Sequence, residues 1–116
     1  MNTDPRTAAA TYFDAWRAND FDRLRSVLAD EIEFVGPLGQ VKGGDECAEA
    51  MRRLSEIKTD LVVERVFVDG DDVLTWFELH TSLAPPAPVA NWSHIEGGKV
   101  ARVRVTFDPR GILGGA

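Results

Sequence analysis

The sequence predicts an α+β fold. Apolar residues recur at helical spacing up to about residue 57 and at every second position from residue 60 onward. The helical segments are grouped, with one strand among them, ahead of four successive strand-like segments. That order implies helices packed on an antiparallel meander rather than a parallel, doubly wound sheet. The 116 residues fit one domain, 1–116, with one modest core.

Taken in order, Thr3-Asp4-Pro5-Arg6 is a helix start, a capping residue ahead of a proline suited to a first turn. Ala9, Tyr12, Phe13 and Trp16 follow on one helical face, and Asn19-Asp20 interrupts it. A short second helix carries Phe21, Leu24, Val27 and Leu28 on one side, so the two should form a hairpin of helices. Glu31 to Val35 alternates as a strand. Gly36, Gly39, Gly43 and Gly44 then punctuate a loop, and Asp45 to Ile57 is a third helix with Cys47, Ala50, Met51 and Leu54 as its buried stripe. Strands follow at 61–68, 73–82, 89–95 and 100–107, separated by an acidic turn, a proline-rich connection at 83–88 and the paired glycines 97 and 98. The segment RGILGGA after Pro109 reads as loose.

Several function classes are disfavoured. A net charge of −6 without a Lys/Arg cluster argues against nucleic acid. No apolar run approaches about 18 residues, so no membrane span is expected, and the opening MNTDPRTAAATYFD lacks the apolar core of a signal peptide. A cytoplasmic protein is the expectation. The single cysteine, Cys47, forms no internal disulfide, has no zinc spacing, and reads as a small buried apolar group. The glycine loop matches neither GxxxxGK[ST] nor GxGxxG, so its glycines read as turn residues and not as a phosphate cradle. No cofactor and no metal is expected.

Strand alternation sorts the side chains into two faces. Phe77, Leu79, Val89, Ala101, Val103 and Val105 share the face suited to the helices. Trp76, His80, Trp92, His94, Arg102 and Arg104 share the other. Two tryptophans beside arginines on an outer sheet face predict a homodimer interface there; a solvated face with cross-strand Glu/Arg pairs is the alternative. His80 and His94 without a third ligand make a poor metal site.

The order of elements, together with YFDAWRANDFDRLRSVLADEIEFVGPLG (12–39), the helix after GGDE and the closing IEGGKVARVRVTFD, resembles the NTF2-like superfamily and its SnoaL-like branch over about Ala9 to Asp108. The resemblance implies a strongly curved, mainly antiparallel sheet wrapped round the helices as a cone with an apolar pocket, and a homodimer through the outer sheet face. Set beside ketosteroid isomerase, a member of that superfamily, it places the catalytic base at Gly36, which has no proton to move. The oxyanion tyrosine falls on Tyr12 and the strand acid on Asn91, while Trp16, Val103, Val105 and Phe107 fall on apolar pocket positions. Two hydrogen-bond donors therefore survive without the base, and the catalytic residues are unknown.

Three readings remain open. The first is a pocket protein for a small, mostly apolar molecule bearing a carbonyl or hydroxyl, oriented by Tyr12 and Asn91 and walled by Trp16, Phe34, Met51, Phe77, Val103, Val105 and Phe107. The second is a cyclase- or isomerase-type enzyme with an unassigned base; Glu33, His80 or His94 could serve if the strand register slipped by one. The third is a non-catalytic dimerisation module with a filled core.

Overall fold

A computed structural model describes residues 4–112. Helix α1 (Pro5–Arg17) starts at Asp4, whose carboxylate accepts from the Thr7 backbone N–H at 2.9 Å, with Pro5 in the first turn. Thr3, expected to share that start, lies outside the described residues. The chain turns at Asn19, whose φ of 58° is the left-handed conformation that asparagine tolerates. Asp20 then caps α2 (Phe21–Val27) through the Arg23 N–H at 3.2 Å.

Strand β1 spans Leu28–Gly36, β2 Gly39–Lys42, α3 Gly44–Leu54, β3 Lys58–Asp69, β4 Asp72–Thr81, β5 Ala87–Glu96 and β6 Lys99–Thr106. All six strands form one sheet in the order β2-β1-β6-β5-β4-β3. β3 to β6 make the antiparallel meander, whereas β1 lies parallel to β6, pairing Phe34 with Val103 and Val35 with Arg104.

The strongly curved cone is not what the structure contains. The sheet is mixed and open, with β2 and β3 as unpaired edges. Closing a sheet requires its two edges to meet and pair. Here the edges stay apart, and α1 and α3 cover the buried face instead. Four further expectations change. Leu28, placed on the second helix, begins β1. The glycine loop contains a strand: β1 and β2 form a hairpin in which Gly36 opposes Gly39 across Pro37-Leu38. The alternation of β6 breaks at Ala101, because the β5–β6 register shifts between His94 and Ile95, so Val100 opposes Ile95 and is fully buried while Ala101 is only half-buried. The segment after Pro109 was expected to be loose, yet Ile112 packs against the core; residues 113–116 lie outside the described residues.

The core is centred on α1. Tyr12 and Phe13 meet edge to face at 4.9 Å, and Phe13 and Trp16 meet Phe77 of β4 at 5.0 and 6.0 Å. The Trp16 indole N–H donates to Ser55 Oγ at 3.1 Å, which donates onward to the Met51 carbonyl, tying α1 to the end of α3. Lys58 donates to the Arg17 carbonyl and, at 2.9 Å, to Asn19 Oδ1, closing the C-terminus of α1 onto β3.

Arg25 joins α2, β1 and α3. Its guanidinium donates at 2.7 Å to both Asp30 and Asp45 and at 3.1 Å to the Leu28 carbonyl. Gly44, the first residue of α3, is buried beneath it, and a Cβ there would lie 2.5 Å from Arg25 Cζ. We expect Gly44→Ala to displace the guanidinium and destabilise the protein by about 1 kcal/mol, the scale of the ion pairs lost. In an Arg25→Ala background the same change should be neutral or stabilising, because only the helix gain of alanine over glycine remains. Denaturant melts of the four proteins test this, and equal losses in both backgrounds would exclude the Arg25 contact as the cause.

Candidate functional site

A small apolar cavity of about 70 Å³ lies between α1, the β1–β2 hairpin and the buried face of the sheet. Tyr12 and Trp16 reach it from α1, and Phe34 from β1. Phe77, Asn91, Val105 and Phe107 reach it from the β4–β6 side. Of the nine side chains expected to form a pocket, seven line this cavity. Met51 lines a neighbouring cavity instead, and Val103 is fully buried in the core without lining either. Leu54, Leu79 and Val89 line it as well, as do Gly36, Pro37, Leu38 and Gly39 of the hairpin. Strand alternation had already turned Leu79 and Val89 inward. Leu54 lay on the predicted stripe of α3, but nothing in its spacing distinguished a cavity wall from core packing.

The polar groups are few and linked. Asn91 is 1% exposed, and its Oδ1 accepts from Ser93 Oγ at 2.8 Å. Both belong to the buried row of β5, so two polar residues two apart meet on one face. That bond fills one of the two acceptor positions of the amide oxygen. Burial pushes the Tyr12 phenol well above its usual acidity range. The Asn91 side chain opposes that shift. Tyr12 is therefore a neutral hydroxyl at any physiological pH.

No residue lining the cavity carries a carboxylate or an imidazole. Gly36 occupies its rim; a Cβ there would meet Val105 Cβ at 3.5 Å and Phe34 Cε1 at 3.6 Å, ordinary contact distances. The three groups considered as replacement bases lie elsewhere. Glu33 is exposed on β1 with Lys42 Nζ at 3.9 Å. His80 Nε2 is 3.2 Å from Glu78, and His94 Nδ1 is 2.9 Å from Asp72. Register with β4 puts His94 beside Asp72, at the opposite end of that strand from His80. At about 3.3 Å per residue the two histidines are more than roughly 20 Å apart and share no ligand.

The outer face carries the remaining singled-out residues. Phe67, Leu74, Trp92 and Arg104 follow one another across β3, β4, β5 and β6, with Val35 of β1 next in the row. Trp76 lies between Arg65 and Ala90, and Arg102 between His94 and Glu33. Trp76 is 42% and Trp92 44% exposed. The Trp92 indole donates to Asp72 Oδ1 at 2.9 Å. These bonds from Trp92 and His94 hold the Asp72 carboxyl below the usual carboxylate range.

The sequence model of the SnoaL-like domain matches residues 9–104. The chain belongs to the SnoaL-like family. Solved structures agree on the fold. A protein from Kribbella flavida DSM 17836, described only as of known function, is 27% identical, with a TM-score of 0.87 over 93% of this chain and 89% of that one. An NTF2-like protein of unknown function from Cytophaga hutchinsonii ATCC 33406 is 23% identical, with a TM-score of 0.85 over 97% and 96%. A putative ketosteroid isomerase from Kribbella flavida DSM 17836 is 18% identical, with a TM-score of 0.81 over 90% and 77%. No curated protein matches the chain. Among the described residues, no helix of this SnoaL-like protein is long and apolar enough to cross a membrane.

Cys47, buried on α3, has its thiol pushed by burial from 9.0 up to about 12. The neutral form is the one the fold favours, so its contribution is fully present below about pH 9. It declines as pH rises from there toward 12, where only the unfolded chain ionises freely. The thiol should accordingly resist a soluble disulfide reagent at pH 8 in the native state and react fully in denaturant. Rapid native reaction would contradict its burial.

Proposed function

We propose that this SnoaL-like protein binds a small, mostly apolar molecule through one carbonyl or hydroxyl oxygen, held by Tyr12 and Asn91. The carrying observation is an apolar cavity lined by two polar side chains, Tyr12 and Asn91, and by no carboxylate or imidazole. Proton abstraction needs a group that can take the proton within hydrogen-bond reach, and that factor is typically worth about 10²–10⁴ in rate. With glycine at position 36, the cavity offers recognition without that step. The likeness to a putative ketosteroid isomerase and the family match support a small-molecule site of this general kind.

The outer face completes the proposal as a homodimer interface. Its exposed Trp76, Trp92, Phe67 and Leu74, rimmed by Arg102, Arg104, His80 and His94, have the aromatic and arginine content of protein interfaces. A second reading, a dimerisation module with a filled core, is favoured by the cavity's size: about 70 Å³ is far below the roughly 300 Å³ of ordinary ligand pockets.

Binding of short ketones, followed by calorimetry, separates the two. Tyr12→Phe should weaken it about 2- to 10-fold, the scale of one net hydrogen bond; no binding by the unaltered protein would favour the filled core. Gly36→Asp fits sterically at its Cβ and should introduce proton exchange α to the carbonyl of a bound ketone, read by deuterium uptake. Comparable uptake by the unaltered protein would reveal a base that the cavity does not contain. Trp76→Arg should convert a dimer to a monomer in sedimentation equilibrium.

A further inference from the structure

We propose that the ligand site has two chambers, and that it takes an elongated molecule with its oxygen at Tyr12 and Asn91 and an unbranched apolar tail beneath α3. This inference rests on the binding reading above and specifies the ligand's shape.

The second chamber, of about 210 Å³, lies between α3 and the β1–β2 hairpin. Cys47, Ala50 and Met51 form its helix side, and Gln40 and Val41 of β2 its outer wall. Phe34, Leu38, Gly39 and Leu54 line both this chamber and the one holding Tyr12 and Asn91. The two are thus neighbours across a partition of side chains and not separate features of the surface. None of the partition residues is fully buried: Phe34 and Leu54 are half-buried and Leu38 is 44% exposed. Phe34 and Leu54 are also aromatic and aliphatic groups free of hydrogen-bond ties, so turning them costs only packing.

The chemistry of the chambers is unequal. The first is small and carries Tyr12 and Asn91, whereas the second has a single amide, Gln40, on its outer wall. The second is three times larger, and its helix wall is a thiol held neutral, a methyl group and a thioether, with Met51 able to adapt its shape. Neither chamber alone reaches the roughly 300 Å³ at which ordinary ligand pockets begin, but the joined space approaches it. A polar head in the narrow chamber and an alkyl tail in the wide one is the occupant that matches both. A compact, rigid, polycyclic ligand would match neither.

The test is a series of straight-chain 2-alkanones from five to eleven carbons, titrated calorimetrically into the full chain. Affinity should rise about four-fold per added methylene, the equivalent of about 0.8 kcal/mol, until the second chamber is full. Ala50→Phe fills that chamber from α3 and should abolish the gain for the longer ketones. Val41→Trp closes it from β2 and should do the same, so a failure of one variant to fold leaves the test intact. Short ketones that bind in a Tyr12-dependent way with no gain on lengthening would overturn the two-chamber proposal and leave the binding reading standing. A gain that survives both substitutions would also overturn it, by sending the tail elsewhere. No binding at any length would remove the binding reading itself.

Discussion

Everything else in the structure depends on the packing of one aromatic face of α1 against Phe77. Tyr12, Phe13 and Trp16 occupy successive positions on that face, and all three are almost completely buried. Aromatic pairs in edge-to-face contact add about 0.5–1.5 kcal/mol beyond their buried area, and Phe77 makes two such contacts with α1. The same ring cluster supplies the cavity's floor and its hydroxyl. The side chains that stabilise the fold thus also wall the cavity, and Trp16 shows the consequence. Its indole is fixed by Ser55 at the end of α3, so the cavity wall it forms is held in one position from two helices at once.

A second constraint follows from the parallel pairing of β1 with β6. A parallel pair cannot be joined by a tight turn, and here α3 and the meander intervene between the two strands. The N-terminal half must therefore be held against the last strand by contacts of its own. The β1–β6 ladder does this, and Arg25 organises the half it holds by bridging Asp30, Asp45 and the Leu28 carbonyl. Its partners are exposed, so the individual ion pairs are weak. Their value is geometric: they fix where α3 begins, over Gly44, and therefore where Met51 and Leu54 arrive.

Much of this was legible in the chain. Period-two alternation in β4 and β5 separated Phe77, Leu79, Val89 and Asn91 from Trp76, Trp92, His80 and His94, and the side chains divide that way. What escaped shares a cause. β2 is four residues long, bounded by glycine and exposed at most positions, so it has no apolar pattern and exists because β1 offers it a partner. The bulge at Ala101 arises from pairing with Ile95 and not from anything in VARVRV itself. Strong sheet curvature was expected from resemblance, yet whether edges meet is decided by pairing between strands distant in sequence, which no single strand's pattern records. In the cavity, Leu54 was indistinguishable from core, and Met51 and Val103 from cavity walls, because periodicity gives a face and not a depth.

The direction of the hydrogen bonds around Asn91 carries the argument about ligand type one step further. Ser93 Oγ donates to Asn91 Oδ1, and the Asn91 side chain acts on the Tyr12 phenol against the upward shift that burial imposes. A phenol oxygen that accepted from Asn91 would turn its own O–H away from that amide. Each donor in such a chain polarises the next, which strengthens the last member in a low-dielectric interior. On the binding reading, the site would then present a donor where a carboxylate would have presented an acceptor. A carbonyl oxygen satisfies that donor directly. A hydroxyl can accept from it too, but its own proton then faces apolar walls, at the cost of an unpaired buried donor. If Asn91 donates to the phenol, the proposed site would thus favour carbonyl compounds over alcohols of the same shape, with no charged residue needed for the discrimination.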